Sequence, residues 1–348
     1  MSAAESAPQP QEQKKPLKEI FEQFTTDAAE RFPHLKGRLL IADTNEYHCY
    51  GAVEIDTEKT GLTKETAPSY LKNTNNPNEY ASYTHYDSTR GLHSIFFKEE
   101  IDGAEFNGVS KKTEKHIMYV LDHELAHFAI PDGRSEENNG VIAESIADAY
   151  ALIRHFQRFG ADSEHYDRYV DPSVRASRFI MHHDKRHLTS FVLDEIIKKK
   201  DLIDFNRLDH EKTVDLAWRV ATNYVPSAPV VEALDRAFEP ARKAFKESGS
   251  TGVKVMADIT LDTKSDYYTF KLGAIWLRGF LKGDIAIRDG SPEPSKEFMN
   301  DVSKKLKERE FKLAQEDILF NMPVVTKAPD AAKKPSPARR KKAPAQPT

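Results

Sequence analysis

The chain has 348 residues, enough for two modules and a sizeable buried core. With 39% hydrophobic and 30% charged residues and a formal net charge of −4, it reads as a soluble globular protein with no global field toward nucleic acid or acidic substrates. The single cysteine, Cys49, excludes an intramolecular disulfide framework and suits a reducing compartment.

In chain order, residues 1–15 are rich in Pro, Gln, Ala and Lys and are expected to be disordered. They lack the apolar run of a signal peptide. No stretch of 18 apolar residues exists either, so no membrane span is expected. The expected location is the cytoplasm, with signal-independent export left open. Leu17 to Phe32 carries apolar residues at helical spacing. Arg38–Ala42 and Tyr47–Ile55 read as strands around the turn-rich Asp43–Glu46. Residues 56–90 are polar, with Asn73–Asn78 marking a loop. His93–Ile101 reads as a further strand, either an internal one or an edge beside the helix that follows. After Phe159–Gly160 the chain turns helical, with long patterns over Val230–Phe245 and Ser295–Phe320. The charge run of the second is read as a solvated face. Residues 327–348 form a basic, Ala/Pro-rich stretch with Lys333–Lys334 and Arg339–Lys342. No nucleic-acid partner is expected beyond a weak contact through this tail.

The chemistry concentrates in Tyr119–Ile130, which contains His123-Glu124-Leu125-Ala126-His127, an H-E-x-x-H motif in an apolar helical frame. Positions i and i+4 stand above one another on a helix, so both imidazoles can reach one ion with Glu124 beside them. Such a motif arises by accident in roughly a few of every hundred chains of this kind. A second motif makes accident less plausible. In Gly140–Arg154, Glu144 and Asp148 are again i and i+4 on an amphipathic helix. A ligand from this helix would complete three and leave a fourth position open for water. A neighbouring carboxylate could accept the outer N–H of a ligand histidine.

H-E-x-x-H followed by E-x-x-A-D resembles the gluzincin zinc metallopeptidases, the thermolysin-like group, over residues 110–156. The resemblance implies His123, His127 and Glu144 as ligands of one Zn²⁺, Glu124 as general base, and Asp148 as the acceptor that orients a ligand histidine. It also implies a zincin-like fold and a peptide or protein substrate. One departure stands out: 16 residues separate His127 from Glu144, fewer than is usual for the group. Asp148 remains an alternative third ligand, with Glu136 and Glu137 behind it. His116 lies on the face of His123 but two turns earlier, about 10 Å along the axis, too far to share the ion.

A zinc peptidase also needs a donor for the oxyanion. His187 is the preferred candidate, ahead of His183 and Tyr224. The pair His183–Asp184 invites a second reading, a metal-dependent phosphohydrolase of the HD type, with His155 and Asp209 or Asp215 completing it. That reading leaves both helix motifs unexplained. A catalytically silent, metal-binding regulatory protein is the non-enzymatic alternative, although the retained Glu124 favours activity. The expected architecture is α+β. It comprises a zincin-like catalytic part over 16–160, a mainly helical lobe over 161–325, a basic tail over 326–348 and a cleft between the first two.

Overall fold

In a computed structural model, helix α1 (Leu17–Arg31) opens the described chain, which comprises residues 16–44, 54–76, 82–98, 114–130, 139–161, 171–287 and 290–321. Its apolar stripe Ile20, Phe21, Phe24 and Ala28 is buried, as the helical spacing requires. Phe32, which precedes Pro33, leaves the helical region and ends the helix. Strand β1 (Leu39–Asp43) is buried at every position. Leu39 and Ile41 join a core with α1, whereas Leu40 and Ala42 join a smaller cluster containing Leu62, Ala67 and Leu71. A strand covered on both faces is apolar throughout instead of alternating.

The polar stretch 56–90 is more structured than its composition suggests. Asp56 caps the short helix α2 (Thr57–Thr60) by accepting from Lys59 N–H, and Gly61 ends it at φ 66°. Helix α3 (Ala67–Thr74) follows, and then strand β2 (Tyr83–Asp87) forms a hairpin with β3 (Leu92–Phe97). The sheet order is β1-β3-β2, with β1 parallel and β2 antiparallel to β3. β3 is thus the internal strand, and an edge strand beside the motif helix is β2, which lies within the polar stretch 56–90 where composition predicts no strand. Its Tyr-Thr-His-Tyr-Asp composition lacks the apolar signal of a strand because none of its residues is fully buried, and among the described residues it pairs on one side only. The strand expected over Tyr47–Ile55 falls mostly outside the described residues.

Helix α4 (Glu114–Ala129) packs on the sheet, and α5 (Asn139–Phe159) packs on α4. The chain continues through α6 (Pro172–His182), α7 (Ser190–Lys198), α8 (His210–Tyr224), α9 (Ala228–Ala237), α10 (Glu239–Glu247), α11 (Gly249–Leu261), α12 (Tyr267–Lys282) and α13 (Lys296–Asn321). The pattern over Val230–Phe245 is two helices, not one. Phe238 leaves helical geometry, and Pro240 in the first turn of α10 has no N–H with which to continue α9. α6 is held against α12 by close approach, since a Cβ added at Gly279 would overlap Ser173.

A buried charge cluster fixes the motif helix from behind. Asp122, adjacent to His123, is fully buried and paired with Arg31 and Arg158, which also reach Asp27 from α1 and α5. The architecture is α+β, predominantly helical with one small sheet. By internal contacts the chain divides into one unit ending at Ser303 and another beginning at Lys304. The part expected over 16–160 falls within the first, and the lobe expected over 161–325 is cut by the division after Ser303. Among the described residues no helix is long and apolar enough to cross a membrane. The expected disordered N-terminus, Cys49, Glu136, Glu137 and the basic tail lie outside the described residues.

Candidate metal centre

α4 divides its surface by periodicity. Ile117, Leu121 and Leu125, spaced by four, enter the core. His116, Tyr119, Val120, His123, Glu124 and His127 form the opposite face and line a cleft of about 570 Å³. α5 contributes Glu144 to the same cleft. β2 and the end of β3 line it with Ser82, Tyr83, Thr84 and Lys98, and the α6–α7 region with Arg175, Arg178, Arg186 and His187.

At its floor, His123 Nε2 lies 3.1 Å from His127 Nε2 and 3.3 Å from Glu144 Oε2, and His127 Nε2 lies 3.8 Å from the same oxygen. A tetrahedral zinc ion with bonds of about 2.0–2.1 Å holds its ligand atoms about 3.3 Å apart. The three separations bracket that value. Glu144 Oε2 is also buried and makes no well-formed hydrogen bond, although three imidazole nitrogens surround it. An orphaned buried acceptor between histidines fits a cation. The donor set therefore passes the test for a divalent ion, with imidazole and carboxylate as its chemistry.

The protonation states agree with that chemistry. Burial pushes the His127 imidazole down to about 4, leaving a lone pair free. Burial would raise Glu144, but the His123 imidazole 3.3 Å away outweighs it and holds the carboxyl at about 2. Burial likewise opposes charge on His123, yet the Asp148 carboxylate outweighs it and lifts the imidazole to about 10. The proton that His123 carries without a cation is one that a metal must displace. Burial raises Glu124 to about 8.

Asp148 sits behind His123, not in front of it. Its Oδ1 lies 2.8 Å from His123 Nδ1 and accepts from Tyr119 Oη at 2.9 Å and Arg175 Nη2 at 2.6 Å. Its Oδ2 accepts from Thr189 Oγ1 at 2.6 Å. Burial disfavours this charge, but Arg175 and His123 keep the carboxyl far below the usual range. With both oxygens occupied on the side of His123 away from His127, Asp148 is placed to orient the ring and not to complete the donor set.

The α6–α7 turn brings His187 in. α6 ends with His183 in the left-handed region at φ 59°, and the chain doubles back. His187 Nδ1 then lies 2.8 Å from Asp184 Oδ2, and its Nε2 lies 3.4 Å from Glu144 Oε2. His183 faces elsewhere, more than half exposed, with Nδ1 2.8 Å from Asp235. Tyr224 accepts from Lys199 at 2.9 Å on α8 and does not line the cleft. His116 is buried in the cleft wall and stands outside the donor group. The phosphohydrolase constellation is not assembled: His155 packs on Phe156 and Phe159, Asp209 caps α8 and Asp215 pairs with Arg219. Arg175, Tyr119 and Thr189 were not anticipated from sequence. Asp184, three residues before His187, was the one supporting group whose spacing could have signalled it.

Compared with family profiles, curated proteins and solved structures, the chain matches none.

Proposed function

We propose that this chain is a zinc-dependent metallopeptidase with a zincin-like fold, working through a metal-activated water and not an acyl-enzyme. The observation that carries the reading is the convergence of His123 Nε2, His127 Nε2 and Glu144 Oε2 on one point, with Glu124 beside it and Asp148 behind it. His123, His127 and Glu144 would hold the ion, leaving its outer side to the cleft. When bound, the ion would acidify a water toward a pKa of about 7 and polarise the scissile carbonyl.

Each remaining step falls to a side chain. Glu124, buried beside the two histidines, would take the proton of the attacking water and pass it to the leaving amine. Asp148 would hold His123 in the tautomer and orientation that present Nε2. His187 would donate from Nε2 to the carbonyl oxygen as charge develops there. Asp184 Oδ2, 2.8 Å from Nδ1, would hold the ring in that orientation. A peptide is favoured over other carbonyl substrates by β2. Its Ser82–Thr84 end forms a cleft wall, and an extended chain can pair with an open strand edge.

The test is hydrolysis of a labelled peptide library by purified protein with and without chelator, alongside elemental analysis of wild type and His123→Ala. Chelator-sensitive cleavage and one zinc per wild-type chain, lost in the variant, are expected. A stoichiometric zinc protein that cleaves nothing would leave the silent, metal-binding role in its place.

A further inference from the structure

The cleft is far more basic than the chain that contains it. The formal net charge is −4, yet the described residues lining this cleft carry Lys98, Arg175, Arg178 and Arg186 against the carboxylates Glu124 and Glu144. Two of these cations are engaged from behind. Arg175 is buried and bound to Asp148, and Arg178 lies 3.3 Å from Asp184. The other two are not. Among the described residues neither the Arg186 guanidinium nor the Lys98 ammonium makes an ion pair, although both border the cleft.

The exposed Arg186 lies against the backbone of α5. Its stem lies over Gly140, where an added Cβ would come within 3.2 Å of Arg186 Cγ. Gly140 is in the first turn of α5, one turn before Glu144, so the guanidinium stem is seated beside the donor group on the N-terminal side. The first-turn N–H groups of α5 add positive potential at the same place. Arg186 directly precedes His187, so one short turn carries both the candidate oxyanion donor and a cation that makes no ion pair among the described residues.

Resting on the peptidase reading, we infer that Arg186, with Arg178 beside it and Lys98 across the cleft, forms a carboxylate-recognition subsite that selects acidic peptides. The ligand is the carboxylate of an Asp or Glu side chain flanking the scissile bond, or a free C-terminal carboxylate just beyond it. A guanidinium fork matches a carboxylate in two parallel hydrogen bonds, which an exposed amide cannot reproduce.

The experiment uses full-length protein and peptides matched in pairs, Glu against Gln at each position flanking the cleaved bond, each as free acid and as C-terminal amide. Hydrolysis is followed with zinc-loaded wild type, Arg186→Lys and Arg186→Glu. Binding of the same peptides is followed by fluorescence anisotropy with zinc-loaded Glu124→Gln. Acidic peptides should exceed their neutral partners by about tenfold in kcat/KM and in affinity, the size of one charge-assisted hydrogen bond. Arg186→Lys should retain part of that ratio, and Arg186→Glu should invert it, so that the neutral peptides exceed their acidic partners. A preference confined to Glu over Gln identifies a side-chain carboxylate, and one confined to acid over amide identifies the C-terminus. Cleavage with all ratios within twofold overturns the subsite while leaving the peptidase intact. If nothing is cleaved, the peptidase reading fails. The anisotropy ratios then decide the subsite alone: a carboxylate preference lost in Glu124→Gln/Arg186→Glu sustains it, and equal binding overturns it.

Discussion

Replacing Asp148 by asparagine keeps the shape of the side chain and deletes a charge on which four donors converge. Tyr119, Arg175, Thr189 and His123 all lie within 2.6–2.9 Å of its oxygens, and the carboxylate is wholly buried. An asparagine oxygen can still accept at the Oδ1 position, and the Thr189 hydroxyl can turn to accept from the new amide. The Arg175 guanidinium, itself buried, has no such remedy. Leaving one partner of a buried pair uncompensated costs about 3–5 kcal/mol, and the retained hydrogen bonds place this variant near the lower end. The acceptor that orients the ring of His123 also loses its charge, which weakens metal affinity by about 10- to 100-fold. Urea unfolding of metal-free protein reads the first effect, and zinc titration against a competing chelator reads the second. Unfolding within about 1 kcal/mol of wild type, with zinc affinity unchanged, would refute the assignment of Asp148 as the charge that holds this site together.

Glu144→Ala should abolish stoichiometric zinc in that titration, a larger loss than Asp148→Asn gives, and the opposite order would make Asp148 the ligand. Glu124→Gln should keep its zinc and lose activity by about a hundredfold or more, measured as initial rates on a cleaved peptide, with near-normal turnover sinking the mechanism. Acid stability should depend on Asp27. Burial opposes its charge, but Arg31, Arg154 and Arg158 prevail and lower it from 3.8 to about 2. A depressed folded pKa means the stabilisation is complete above about pH 4 and is lost as pH falls toward about 2. Urea midpoints across that range should therefore fall less steeply for Asp27→Asn than for wild type, and parallel curves would remove Asp27 from the acid response.

The parts of this protein legible from sequence are those that one helix determines by itself. His123, Glu124 and His127 share a face because 3.6 residues make a turn, and Glu144 and Asp148 share one for the same reason. The apolar frame around each motif named the helices before any contact was known. The rank of Glu144 over Asp148 could be favoured on side-chain length, but it took the packing of α4 on α5 to turn Glu144 toward His123 Nε2 and Asp148 toward His123 Nδ1. Which of His187, His183 and Tyr224 lines the cleft was likewise beyond local reading. It rests on the left-handed turn at His183 and on the seating of α6 against α12. The sheet shows the same division. The apolar runs of β1 and β3 announced buried strands, whereas β2 carries almost no signal, and which strand lies at the edge depends on pairing. Helical spacing is a property of neighbours along the chain. Strand order, the partner of a buried charge and the placement of Arg186 over Gly140 come from residues far apart in sequence, brought together only when the apolar faces are buried.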